Sequence, residues 1–227
     1  MKTSFALSAL VATVAALPTA LKPKICPAVP QNANFDDLRG LPGSIFNSIP
    51  TPYKGLLFQG AQYTSVLRTS PLLGTGLVPG VAPNSGNNYA GIQVVSQLSG
   101  TPMLTVNYAS SNIESFQLDS FYFGCVIQLA NGVTAIPSAC KINVTGYKGT
   151  DNNVAAGQQV CSQSYSYTPA SALGRQQQTF GRFSNCAGKD IQYAVVQFDL
   201  EGAAGALDVL SGLVLDDVKY STKAKKC

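Results

Sequence analysis

The chain has no histidine and no tryptophan. Without histidine, Ser-His-Asp and Cys-His catalysis are excluded, and so is any metal held by imidazole. Without tryptophan, the best side chain for stacking on a sugar is missing, which leaves ten tyrosines for that task. There are just two glutamates, Glu114 and Glu201. Charged residues make up only 11% of the chain, and the net charge of +4 is spread thinly except near the C-terminus. That is no electrostatic footprint for nucleic acid. No Cys-x-x-Cys pair exists, so a zinc site is not expected. After the first twenty or so residues, no apolar run is long enough to cross a bilayer.

The 227 residues are 45% hydrophobic, enough for an ordinary core. A surface rich in Ser, Thr, Asn and Gln surrounds it. β-Sandwiches of about 200 residues are commonly single domains. Residues 1–20 read as a secretory signal peptide, with Lys2 ahead of an apolar Phe5 to Leu17 and cleavage expected after Ala16 or Ala20. Residues 21–227 then form one secreted, extracellular domain. Its six cysteines are an even number in an exported chain, which points to disulfides, with fifteen connectivities open. Local closure favours Cys125–Cys140 and Cys161–Cys186. Cys26–Cys227 would then tie the two ends together.

The chain is organised around Phe116 to Leu129. Phe116 and Leu118 alternate with Gln117 and Asp119, the period of a half-buried strand. Phe121 to Ile127 then runs almost without a polar break, as in a strand covered on both faces. Short apolar runs with turn residues between them follow the same rule elsewhere. Phe35 to Leu38, Tyr89 to Gln97, Lys141 to Tyr147, Gln159 to Tyr167, Gln177 to Phe183, Ile191 to Leu200 and Leu213 to Tyr220 are expected strands. Asn131-Gly132 reads as a turn, and 203–207 as a helical turn or loop. The expected fold is all-β, a two-sheet antiparallel sandwich of jelly-roll type.

Four segments carry a resemblance. They are Phe35-Asp36-Asp37-Leu38, Pro50 to Phe58, Ser120 to Cys125, and Leu215-Asp216-Asp217-Val218-Lys219-Tyr220. Together they resemble a family of small secreted proteins of filamentous fungi, mostly without assigned function. That pattern is similar to exported bacterial proteins with jelly-roll, carbohydrate-binding-module-like domains. The likeness extends over most of the mature chain. Some proteins of this class act as effectors on host plants, so the resemblance implies recognition of an extracellular partner.

The aspartate pairs are the leading chemical signal. Asp36-Asp37 and Asp216-Asp217 fall on the expected first and last strands, which the Cys26–Cys227 argument makes neighbours. Two readings stay open. The side chains point into water or hydrogen-bond a turn, or a structural Ca²⁺ sits among them. The resemblance implies the second, because sugar-binding jelly-rolls often staple their end strands with calcium. Tyr53, Tyr63 and Tyr89 flank the loop Pro79 to Tyr89 and are the candidate binding rim. Asn143 begins an Asn-Val-Thr glycosylation sequon. Lys219, Lys223, Lys225 and Lys226 form a basic tail, read as a solvated end. Glu114 and Glu201 would be the only glutamate pair for glycoside hydrolysis.

The expectation is a secreted, non-enzymatic, effector-like binding protein, monomeric, that recognises a host protein or cell-wall component. Alternatives are a carbohydrate-binding module for a wall polysaccharide and, behind it, a glycosidase using the two glutamates.

Overall fold

The computed structural model describes residues 26–39, 47–65, 80–128, 135–171, 174–201 and 212–226. The signal segment, the Asn131-Gly132 turn, the 203–207 segment, Cys227 and the side chain of Tyr63 lie outside the described residues. In chain order the strands are β1 (Val29–Ala33), β2 (Asn47–Ser48), β3 (Leu57–Gln59), β4 (Ala61–Ser65) and β5 (Asn88–Gln93). After a short helix α1 (Val94–Ser99) come β6 (Met103–Thr105), β7 (Ile113–Gln128), β8 (Ala135–Pro137), β9 (Cys140–Lys148) and β10 (Gln158–Tyr167). The last three are β11 (Thr179–Arg182), β12 (Tyr193–Leu200) and β13 (Gly212–Ala224).

These strands form two antiparallel sheets. One runs β11-β7-β13-β5-β4-β2, with β1 added along β13 and β8 along β7; the other runs β10-β9-β12-β6-β3. From β5 onward the chain crosses repeatedly between sheets, which gives the sandwich its jelly-roll character. The expected central strand is real. β7 is 16 residues long and pairs with β13, β11 and β8.

It is not covered on both faces, however. Phe121, Phe123 and Cys125 are buried against the opposite sheet, whereas Tyr122 is half-buried on the outward side. The aromatic run therefore fills one core face and puts one ring outside. Phe121 and Phe123 stack at 5.0 Å between centroids, and Phe121 stacks on Phe183 at 4.8 Å. Such contacts stabilise beyond their buried area.

Two disulfides fasten the layers. Cys125–Cys140 joins β7 to β9, one sheet to the other. Cys161–Cys186 joins β10 to the 3-10 turn that follows β11. Cys26 is disulfide-bonded. The ends of the described chain meet, since β1 lies antiparallel on the last half of β13 with Val29 opposite Thr222.

Two expected strands differ. Phe35 to Leu38 is a turn, and β1 lies just upstream of it. Phe35 takes a positive φ of 60° and its ring is fully buried against Tyr53 and Phe58. A single well-filled aromatic site overrides the local alternation there. Tyr89 to Gln97 is a strand only as far as Gln93, where α1 begins. The reason is tertiary. The Gln97 amide donates to the Phe198 carbonyl and accepts from the Phe198 N–H, both at 3.0 Å, standing in for a strand partner at the edge of β12.

Candidate functional site

The end-strand junction brings the Asp36-Asp37, Tyr53-Lys54 and Asp216 to Tyr220 segments together. Lys54 and Gly55 have φ of 47° and 85°, and the Tyr53 and Leu56 backbones bond each other across them. This is a two-residue turn whose left-handed positions suit glycine. It delivers the Lys54 ammonium to the β1 backbone, where Nζ donates to the Asn32 carbonyl at 2.8 Å and to Asn34 Oδ1 at 3.0 Å. Tyr220 of β13 donates its hydroxyl to the Lys54 carbonyl at 2.9 Å. Tyr53 donates to Asp37 Oδ1 at 2.5 Å and accepts the Phe35 N–H at 3.1 Å.

The four aspartates do not converge. Asp37 turns toward Tyr53 and Lys54 and stays 59% exposed. The other three hold the 84–88 segment against the sheet. Asp36 Oδ1 accepts the backbone N–H groups of Asn87 at 2.9 Å and Asn88 at 3.2 Å, and its Oδ2 accepts from Ser85 Oγ and Asn34 Nδ2. Asp216 Oδ2 accepts the Ser85 N–H at 2.9 Å and Oδ1 the Asp217 N–H at 2.7 Å. Asp217, with φ of 45° at a break in the β13 register, accepts from Asn32 Nδ2 at 2.9 Å and Asn84 Nδ2 at 2.8 Å.

Every oxygen of these three carboxylates therefore faces a donor. A cation placed here would compete with these donors for the oxygens. Among the described residues no three His, Cys, Asp or Glu side chains are arranged to hold a metal ion. Of the two open readings, side chains that hydrogen-bond a turn describes what these carboxylates do here, with backbone and asparagine donors stapling the 84–88 segment.

Asp216 is fully buried. Burial pushes its carboxyl up to about 7; the two backbone N–H groups oppose the rise, and the nearby Asp217 and Asp36 carboxylates add to it.

Two of the three expected rim tyrosines do not line a rim. Tyr53 and Tyr89 are 5% and 6% exposed and belong to the core. Burial raises both phenols, and the Asp37 carboxylate raises Tyr53 further. The described part of the loop between them is a strap rather than a rim. Val81 is fully buried and pairs with Gln176 in a parallel bridge.

The glutamates are separated along the sandwich. Glu114 sits by the Phe116–Ile191 bridge at one end of β12, and Glu201 follows Leu200 at the other. Ten residues of extended chain span roughly 30 Å. Glycosidase carboxyl pairs stand only about 5–9.5 Å apart. Both are exposed, and Glu201 reaches Lys141 at 3.9 Å.

Asn143 lies mid-strand in β9 with its amide in use, donating to Thr145 Oγ1 and accepting from Ser162 and Ser164. The basic tail is dispersed over β13 and the residues that follow it. Lys223 pairs with Asp190 at 2.7 Å and Lys225 donates to the Ser111 carbonyl. For Asp190, burial works upward, but the Lys223 ammonium and the Gln117 amide outweigh it and hold the carboxyl below its ordinary value.

The outward face of the eight-stranded sheet carries what the sequence did not single out. Registers break in both β13 and β7 around Ser120 and Lys219. Bulges of this kind re-aim side chains. The depression there is an open groove of about 500 Å³ whose lining includes Asn32, Asp119, Lys219 and Ser221. Asp119 and Lys219 are exposed neighbours on adjacent strands, yet neither forms an ion pair among the described residues. Asn32 donates to Asp217, while its buried Oδ1 has no hydrogen-bond partner. Only the extra residue in β7, which breaks the alternation after Leu118, could have hinted at this place.

No family model matches the chain, and no curated protein matches it. Among solved structures, a DUF4465 family protein from Bacteroides caccae is similar, with 16% identity and a TM-score of 0.43 over 71% of this chain and 72% of that one. The K2 cleaved adhesin domain of Lys-gingipain is similar with 13% identity and a TM-score of 0.37, over 84% of this chain and 97% of that domain. Likeness at this level carries nothing about ligand or activity.

Proposed function

We propose that this chain is an extracellular, non-enzymatic binding domain, effector-like in that it recognises a host or cell-wall component through the outward face of its larger sheet. The observation that carries the reading is the groove at the β1-β13-β7 bulge, where Asp119 and Lys219 stay unpaired although they are strand neighbours. Both side chains are exposed and neither charge is used within the chain, so both are available to a ligand. The disulfides suit an oxidising compartment. No helix among the described residues is long and apolar enough to cross a membrane. The tied end strands and stapled layers give the face a rigid support, which limits the ordering cost of binding.

The test is retention of the labelled, secreted protein on washed cell-wall and host extracellular-matrix fractions. Saturable retention that falls in Asp119→Asn and Lys219→Gln variants is expected. Failure of every fraction to retain it would overturn the reading.

A further inference from the structure

Cross-strand register continues the groove sideways into an aromatic step. Asn32 of β1 lies opposite Lys219 of β13, Lys219 opposite Ser120 of β7, and Ser120 opposite Arg182 of β11. The neighbouring row places Tyr122 beside Phe180. Gly181 points inward, since a Cβ there would run into the Phe121 ring, so Phe180 and Arg182 both point out. Phe180 is 53% exposed, and its ring meets that of Tyr122 at 5.3 Å. One outward face thus holds an exposed ring beside a half-buried one, two cations, one carboxylate and an open groove. From β11 to β1 it covers three strand spacings, roughly 14 Å.

The chemistry of possible occupants can be sorted. A peptide strand adding to the β11 edge needs free backbone groups there. The Arg182 carbonyl already accepts from Gln163 Nε2 at 2.8 Å and Tyr165 OH at 3.1 Å. A globular protein partner wants a broad apolar centre. Phe180 is the one large hydrophobic residue on this stretch of face that is exposed among the described residues. A polyanion would meet Lys219 and Arg182 but also the exposed Asp119, and at the Asn32 end Lys54 is matched by Asp217. A neutral sugar has no such conflict. Each hydroxyl both donates and accepts, so it satisfies a carboxylate and an ammonium side by side, and its C–H face lies on an aromatic ring.

We infer that the face formed by Phe180, Tyr122, Arg182, Asp119 and Lys219 binds a neutral oligosaccharide, with one ring stacked on Phe180 and its hydroxyls bridging Asp119 and Lys219. This rests on the binding role proposed above and names its ligand class. Titration calorimetry with neutral gluco-, xylo- and manno-oligosaccharides tests it, with oligouronides as the anionic arm. At least one neutral series binds, Phe180→Ala weakens it tenfold or more, and Asp119→Asn and Lys219→Gln each weaken it severalfold. Thermal melts of Asp119→Asn and Lys219→Gln match the parent because both side chains are exposed, and that of Phe180→Ala falls by only a few degrees, showing that its lost binding is not unfolding. Binding confined to oligouronides, or neutral binding untouched by Phe180→Ala, overturns the inference. If cell-wall fractions retain the protein but no neutral oligosaccharide competes, this inference fails and the binding role stands. If nothing retains the protein, both fail.

Discussion

Replacing Asp216 with asparagine tests how the end strands are held. In the folded protein the Asp216 carboxyl is fully buried and titrates at about 7. In the unfolded chain it titrates near the ordinary aspartate value of about 3.9. Between those pH values the folded state holds a proton that the unfolded state has lost, so stability falls as pH rises. Below the unfolded value the contribution is fully present; above the folded value it is gone. Each pH unit inside the window is worth up to about 1.4 kcal/mol, so the whole window is on the order of 4 kcal/mol. For a domain of this size that is a drop in Tm of roughly 10 °C.

The asparagine variant cannot ionise. Its amide nitrogen faces either the Ser85 or the Asp217 N–H, two donors together, which costs about 1–3 kcal/mol at any pH. The variant is therefore less stable than the parent near pH 5, and the gap closes by pH 7.5. The assay is differential scanning calorimetry of both proteins from pH 4.5 to 7.5. That window keeps clear of Asp190, whose stabilising pairing is lost only as pH falls below the ordinary aspartate range. A stability gap that stays constant with pH, or a parent that grows relatively more stable as pH rises, would refute the reasoning.

Gly86→Ala should destabilise by more than about 1 kcal/mol in urea titration, because Gly86 has φ of 43° and a Cβ there would run into the Asp36 carboxylate. Replacing Cys125 and Cys140 together with alanine should remove about 3 kcal/mol, the chain-entropy value for a loop of 15 residues, and an unchanged urea midpoint would show that the inter-sheet link is idle. Millimolar Ca²⁺ or EDTA should leave the Tm of the parent unmoved; a saturable rise with calcium would mean that the carboxylates exchange N–H donors for a cation. Glu114→Gln and Glu201→Gln should leave binding to wall fractions unchanged, since neither residue lines the groove.

The all-β character was legible because β7, β9, β10 and β12 carry alternation or aromatic runs long enough to exclude a helix. Two disulfides were legible from short loop closure. Where local pattern and tertiary demand disagreed, the tertiary demand won. Phe35 left its strand to fill a three-ring cluster, and Gln97 ended a valine-rich strand early to pair with Phe198. The candidate tyrosines failed for a related reason. Tyr53 and Tyr89 are amphipathic, and composition cannot say whether such a ring faces water or core.

Residue order thus settled strand periodicity, cysteine pairing within short loops, and the absence of imidazole chemistry, because each depends on neighbours in the chain or on composition. It could not settle where charges meet. Asp37 parted from Asp36 toward Lys54, and Asp119 came to lie beside Lys219, through strand register and bulges that join residues up to a hundred positions apart. Folding in three dimensions assigned the carboxylates to holding the shell shut and left the outward groove as the open surface.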